Sequence, residues 1–145
     1  MVLHKHAGGC HCGNIRVVVE LPSPPKQTAL RACAPGTCSF CRATGWRTVA
    51  DPNGVFKMWA EDWGDVTRYR FGTGTADFLA CRRCNVYVAA VCETASGQRA
   101  VVNVNSLNDR NLFTAEPDLK NFDSESVEER LARRDKNWMP AIVHL

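Results

Sequence analysis

A mostly β fold in a single domain is expected from three features of this sequence: one stretch of strict two-residue alternation, a series of further short apolar segments separated by turn residues, and cysteine pairs lying on turns. The chain has 145 residues, which suits one domain spanning 1–145. A chain of that size can bury roughly two thirds of the surface its unfolded form exposes.

The alternation is clearest in Ile15, Val17, Val19 and Leu21, set between Asn14, Arg16 and Glu20. This is the pattern of a strand with one buried face. Pro22, Pro24 and Pro25 end it, because proline cannot donate to a sheet ladder. Over 31–45, Pro35, Gly36 and Gly45 point to a loop that could hold one turn of helix. Further strands are expected over 54–59, 66–71, 76–80, 86–92 and 99–103, bounded by Gly, Asp and Asn. One helix is expected, starting at Ser126. Ser126 and Glu129 form an S-x-x-E capping box, and the segment runs through Leu131 towards Lys136 as a short, charged, peripheral element near the C-terminus.

Apolar residues make up 45% of the chain and charged ones 23%, which excludes a disordered chain. The formal charge is only +3, and its densest patch, over 130–136, is interrupted by Asp135. That falls short of a nucleic-acid footprint, so nucleic acid is not an expected partner. No apolar run approaches the roughly 18 residues of a membrane span, and the opening residues lack a signal-peptide core. The expected location is therefore the cytoplasm, where closely spaced cysteines are metal ligands more often than disulfides.

Eight cysteines stand at 10, 12, 33, 38, 41, 81, 84 and 92. Three pairs, Cys10–Cys12, Cys38–Cys41 and Cys81–Cys84, have the spacing that presents two sulfurs to one ion from a turn. Zinc favours such tetrahedral thiolate ligation, while a redox dithiol or a pair of buried thiols is the alternative for any one of them. Gly13 after the first pair and Asn85 after the last tolerate the positive φ these turns need. His11 is expected to point to solvent and Cys92 to be a core thiol, and Trp46 is the tryptophan best placed to line a site near the cysteines.

Gly8-Gly9-Cys10-His11-Cys12-Gly13 before a strand, then Cys38-Ser39-Phe40-Cys41-Arg42, then Cys81-x-x-Cys84, resembles the glutathione-dependent formaldehyde-activating family. The likeness runs over about 8–109 and ends on Ser106-Leu107-Asn108-Asp109. That superfamily also holds centromere protein V. The resemblance implies several coiled β-sheets around zinc, with Cys10, Cys12, Cys81 and Cys84 sharing a closed structural site. Arg82 and Arg83 would partly balance its charge. It also implies a second zinc held by a C-x-C-x-x-C set with an open position. Cys38 and Cys41 match the last two cysteines of that set, but Gly36 stands where the first belongs. Cys33 is either the replacement ligand or a buried thiol.

Arg42 matches the family's arginine after the last cysteine, and would bind a substrate carboxylate or balance charge at the metal. The activity implied is that of a zinc-dependent carbon–sulfur lyase acting on a small thiol and an aldehyde, glutathione and formaldehyde, through adducts such as S-hydroxymethylglutathione. A non-catalytic zinc module for a macromolecular partner and a thiol-based metal or redox sensor are the alternatives.

Overall fold

A computed structural model describes residues 2–144. In chain order, β1 (His4–Gly9) and β2 (Ile15–Leu21) form a hairpin, and β3 (Arg31–Cys33), α1 (Ser39–Thr44) and β4 (Thr48–Val49) occupy the cysteine-bearing stretch. The central strands are β5 (Val55–Ala60), β6 (Val66–Tyr69), β7 (Ala76–Cys81), β8 (Tyr87–Thr94) and β9 (Gly97–Asn103). The chain continues through β10 (Asp118–Lys120), α2 (Val127–Asn137) and β11 (Met139–His144).

The expected strands are present within a residue or two at most ends, and the mostly β expectation holds. The expected single helix is α2, with Ser126 accepting from the Glu129 N–H and Glu129 accepting from the Ser126 N–H. The turn of helix allowed for within 31–45 is α1, and a strand follows α2. β1, β3, β4, β10 and β11 carry no alternation long enough to read in the sequence, and their pairing in the sheet decides them.

β2 pairs antiparallel with both β1 and β5, and β11 adds parallel to β5, with Ala141 beside Phe56. Through Met139 and Pro140, β11 also meets β9, so this one strand joins two parts of the sheet. β11 and β4 share one edge of β9, and β8 takes the other, followed by β7 and β6. β3 extends β4, and β10 lies parallel to β3.

Ile15, Val17, Val19 and Leu21 are each at most 1% exposed, so one face of β2 is wholly buried. Phe56, Met58, Leu79, Ala100, Val102 and Met139 complete this main core. Each large side chain there contributes roughly 1.5–3 kcal/mol by leaving water. β8 and β9 are covered on both faces: Ala89, Ala100 and Val102 enter the main core, while Ala90, Cys92 and Val101 enter a second cluster with Cys41, Trp46 and Trp138. Burial on both sides explains why 86–92 reads as a nearly unbroken apolar run. α2 packs over β8 and β9, with Leu131 and Arg134 turned inward. It keeps the short, charged and peripheral character expected of it, with Arg134 its one buried residue. Among the described residues, no helix is long and apolar enough to cross a membrane.

The Ser106–Asp109 segment lies against β1. Leu107 bridges Gly8, the Asn108 N–H donates to the Ala7 carbonyl, and His6 Nδ1 donates to Asp109 Oδ2 at 2.6 Å. That approach requires Gly8, because a Cβ there would fall on the backbone of Ser106 and Leu107. Gly9 is held equally close, to the Ile15 carbonyl. Gly9→Ala is accordingly expected to cost about 1–3 kcal/mol, the usual range for overpacking against atoms that cannot withdraw. A chemical-denaturation midpoint unchanged from wild type would disprove this.

Candidate metal centres

The first centre joins two hairpin turns. Cys10 and Cys12 lie in the β1–β2 turn, closed by the Cys10 N–H donating to Ile15 O at 3.1 Å, with Gly13 at φ +88°. Cys81 ends β7 and Cys84 sits in the turn to β8, closed by the Asn85 N–H to Cys81 O at 2.8 Å, with Asn85 at φ +62°. Both positive φ angles fall where the sequence placed them.

The sheet brings these turns together, and all four sulfurs lie within 4.8 Å of one another. Cys10 and Cys12 are 3.7 Å apart, and Cys12 and Cys81 are 3.5 Å apart. A tetrahedral zinc with bonds of about 2.3 Å separates its sulfurs by roughly 3.8 Å, so this donor set fits the ion. The Ile15 N–H donates to the Cys10 sulfur at 3.1 Å, the kind of contact that fixes a ligand's direction. Burial pushes the Cys10 thiol up to about 11. At Cys84 burial acts upward too, but the Cys12 and Val86 N–H groups and the neighbouring thiols bring it down to about 6. Arg83 is held by Asp65 at 2.6 Å, so its charge serves that carboxylate as well as the cluster. His11 is exposed, as expected.

The second centre is built from β3 and α1. Cys33 ends β3, Cys38 is the N-cap of α1 and accepts from the Cys41 N–H at 3.4 Å, and Cys41 is buried one turn on. Between them the chain reverses. The Thr37 N–H donates to Ala34 O at 3.2 Å, its hydroxyl donates to the same oxygen at 2.6 Å, and Gly36 takes φ +82°. Gly36 thus makes the turn that returns Cys33 to the pair. The Cys33, Cys38 and Cys41 sulfurs lie within 4.8 Å of one another, with Cys38 and Cys41 3.1 Å apart. Hydrogen bonds from the Cys41 and Cys38 thiols outweigh burial and lower Cys33 to about 7, while Cys41, the donor to Cys33, is pushed far up.

A cavity of about 410 Å³ opens beside this cluster, with Cys33, Cys38 and Cys41 in its lining. Trp46, Phe78 and Trp138 form apolar wall, so Trp138 joins Trp46 as a lining residue that the sequence did not single out. Arg42 stands apart from this cavity. It lies on the exposed side of α1 and does not line the cavity, because a residue next to Cys41 is rotated about 100° around the helix. The cations that do line it are Arg31, Lys120, Arg130, Arg133 and Arg134. Their positions lie far apart along the chain, and only an i, i+3, i+4 reading of α2 against the sheet groups three of them. Cys92 is buried outside both clusters, as expected of a core thiol.

Fold and sites define a β-sheet protein with two separate cysteine clusters, each disposed to hold a metal ion. No family model matches the chain. A solved structure of a Rhodobacter sphaeroides protein, from a structural genomics programme, is 31% identical, with a TM-score of 0.54 over 77% of this chain and 97% of that one. The chain belongs to the same family as that protein.

Proposed function

We propose that the protein is a zinc-dependent carbon–sulfur lyase of the glutathione-dependent formaldehyde-activating type, acting on thiol–aldehyde adducts such as S-hydroxymethylglutathione. The observation that carries this reading is the return of Cys33 to Cys38 and Cys41, which gives three sulfurs beside a cavity large enough for a small ligand. Cys10, Cys12, Cys81 and Cys84 would hold a closed structural zinc, and Cys33, Cys38 and Cys41 a second one. A zinc held by these three thiolates would supply a Lewis acid that favours the thiolate form of a substrate sulfur.

In the reaction the carbon–sulfur bond of the adduct breaks, the hydroxyl loses its proton as the aldehyde carbonyl forms, and the sulfur leaves as a thiol. The chain contributes the enclosure. Trp46, Phe78 and Trp138 shield the reacting end from water, and the cationic wall holds the rest of the ligand. The cytoplasmic placement belongs to this proposal, and its eight free cysteines suit a reducing compartment.

Zinc-loaded protein is expected to speed the interchange of free glutathione and S-hydroxymethylglutathione above the spontaneous rate, and chelation to abolish the gain. Exchange NMR on the equilibrated mixture reads both. No acceleration by fully loaded protein would overturn the proposal. A second reading, a thiol sensor, draws on the 3.1 Å approach of Cys38 to Cys41. It requires reversible oxidation of that pair under mild oxidant, which thiol trapping detects.

A further inference from the structure

Arg134 is only 6% exposed, lines the cavity, and belongs to α2, outside the stretch that carries the family resemblance. Its Nη1 donates to the Thr75 hydroxyl at 2.7 Å and to the Cys92 sulfur at 3.5 Å, and its guanidinium sits 4.8 Å from the centre of the Trp138 ring. Its Nε is buried with no hydrogen-bond partner, as are those of Arg99 and Arg130. Other arginines nearby have carboxylates: Arg130 and Arg133 converge on Glu125 at 3.5 and 2.8 Å, and Arg99 faces Asp135 at 3.7 Å. No described carboxylate lies within ion-pair distance of Arg134, or of Arg31 in the same lining, although Asp118 and Asp51 act on Arg31 from farther away. Burial pushes the pKa of both guanidinium groups down and Arg133 adds to the effect in each case, against a partial upward pull from Cys92 on Arg134 and from Asp118 and Asp51 on Arg31. Only Asp123 among the lining residues opposes this charge.

A buried cation without a counter-ion is costly, and a ligand that supplied the missing charge would offset that cost. We infer that Arg134, backed by Arg31, is a carboxylate-binding subsite of this cavity, so that the ligand whose sulfur reaches the cysteine cluster is selected by an anionic group at its other end. A guanidinium suits that role because its planar fork meets a carboxylate with two parallel hydrogen bonds. The sulfur half of this statement rests on the proposed function, whereas the subsite itself does not.

The test uses the full chain with S-methylglutathione, which keeps both carboxylates of glutathione but has no free thiol, and with inorganic phosphate, at constant ionic strength. S-methylglutathione is expected to raise the melting temperature of wild type and to alter tryptophan emission through Trp138. Arg134→Met should melt at or above wild type without ligand, because an uncompensated buried charge is gone, yet bind S-methylglutathione at least about tenfold more weakly. Arg134→Lys should bind between the two, and Arg31→Met should weaken binding while leaving the ligand-free fold unchanged.

Equal affinity in wild type, Arg134→Met and Arg31→Met would overturn the inference, as would no binding at all. Arg134-dependent binding of phosphate alone would overturn the carboxylate assignment. If Arg134→Met fails to fold, unimpaired binding by Arg31→Met overturns it. Arg134-dependent binding in a protein without lyase activity would leave the subsite standing and remove the proposed reaction, and the converse result would do the opposite.

Discussion

Cys81→Ser is expected to abolish the cooperative fold. On the reading that Cys10, Cys12, Cys81 and Cys84 share a structural zinc, the change removes one of four ligands from the junction between the β1–β2 and β7–β8 turns. Structural zinc in small domains supplies on the order of 10 kcal/mol or more, comparable to the whole stability of a domain this size. Cys81 is 1% exposed, so part of any loss comes from the buried hydroxyl itself. Cys92→Ser controls for that part. Cys92 is equally buried but outside both clusters, and its replacement should cost only about 1–3 kcal/mol. Thermal melts followed by circular dichroism, with metal content measured on the same samples, separate the two effects. A Cys81→Ser protein that melts cooperatively at the wild-type temperature would refute the structural-zinc assignment.

On the reading that Cys33, Cys38 and Cys41 hold a second zinc, Cys33→Ser is expected to lower zinc content by about one ion per chain and to remove the proposed lyase activity while the fold survives. Cys33 is half-buried at the end of a three-residue strand, so the hydroxyl adds only a small penalty. Two thiolates make a weak site, since zinc ordinarily takes three or four protein ligands. Gly36→Cys in the same background should not rescue it. A cysteine there would have to hold φ +82°, which costs roughly 1–2 kcal/mol at a residue other than glycine. Elemental analysis of wild type, Cys33→Ser and the double variant decides the matter. Unchanged zinc in Cys33→Ser would show Cys33 to be a core thiol.

Elements that announce themselves locally were legible in the sequence. β2 alternates because one face is wholly buried, and α2 begins where Ser126 and Glu129 can cap it, a motif spanning four residues. β3 and β10 were not legible. Each has three residues, and their parallel pairing of Arg31 with Asp118 joins segments with no common pattern. β11 was missed for a similar reason: its apolar run gains meaning only by lying between β5 and β9.

The candidate site divides the same way. Cys10–Cys12 and Cys81–Cys84 were readable as knuckles because Gly13 and Asn85 meet a backbone requirement within a few residues of the sulfurs. What joins them into one cluster is the order of strands, which no spacing contains. Whether Cys33 reaches Cys38 and Cys41 depended on the sense of the Ala34–Thr37 turn, and Gly36, which looked like a missing ligand, turned out to shape that turn. The cationic wall belongs wholly to the tertiary structure. Charge along α2 is ordinary for a solvated helix, and only its packing across β8 and β9 buries Arg134 beside the cavity. By itself the sequence determined which residues can ligate a metal, since that follows from side-chain chemistry and local turns. Which of them meet, and what charge faces them, was decided by long-range sheet pairing and helix docking, because those distances are set by the packing of the whole core.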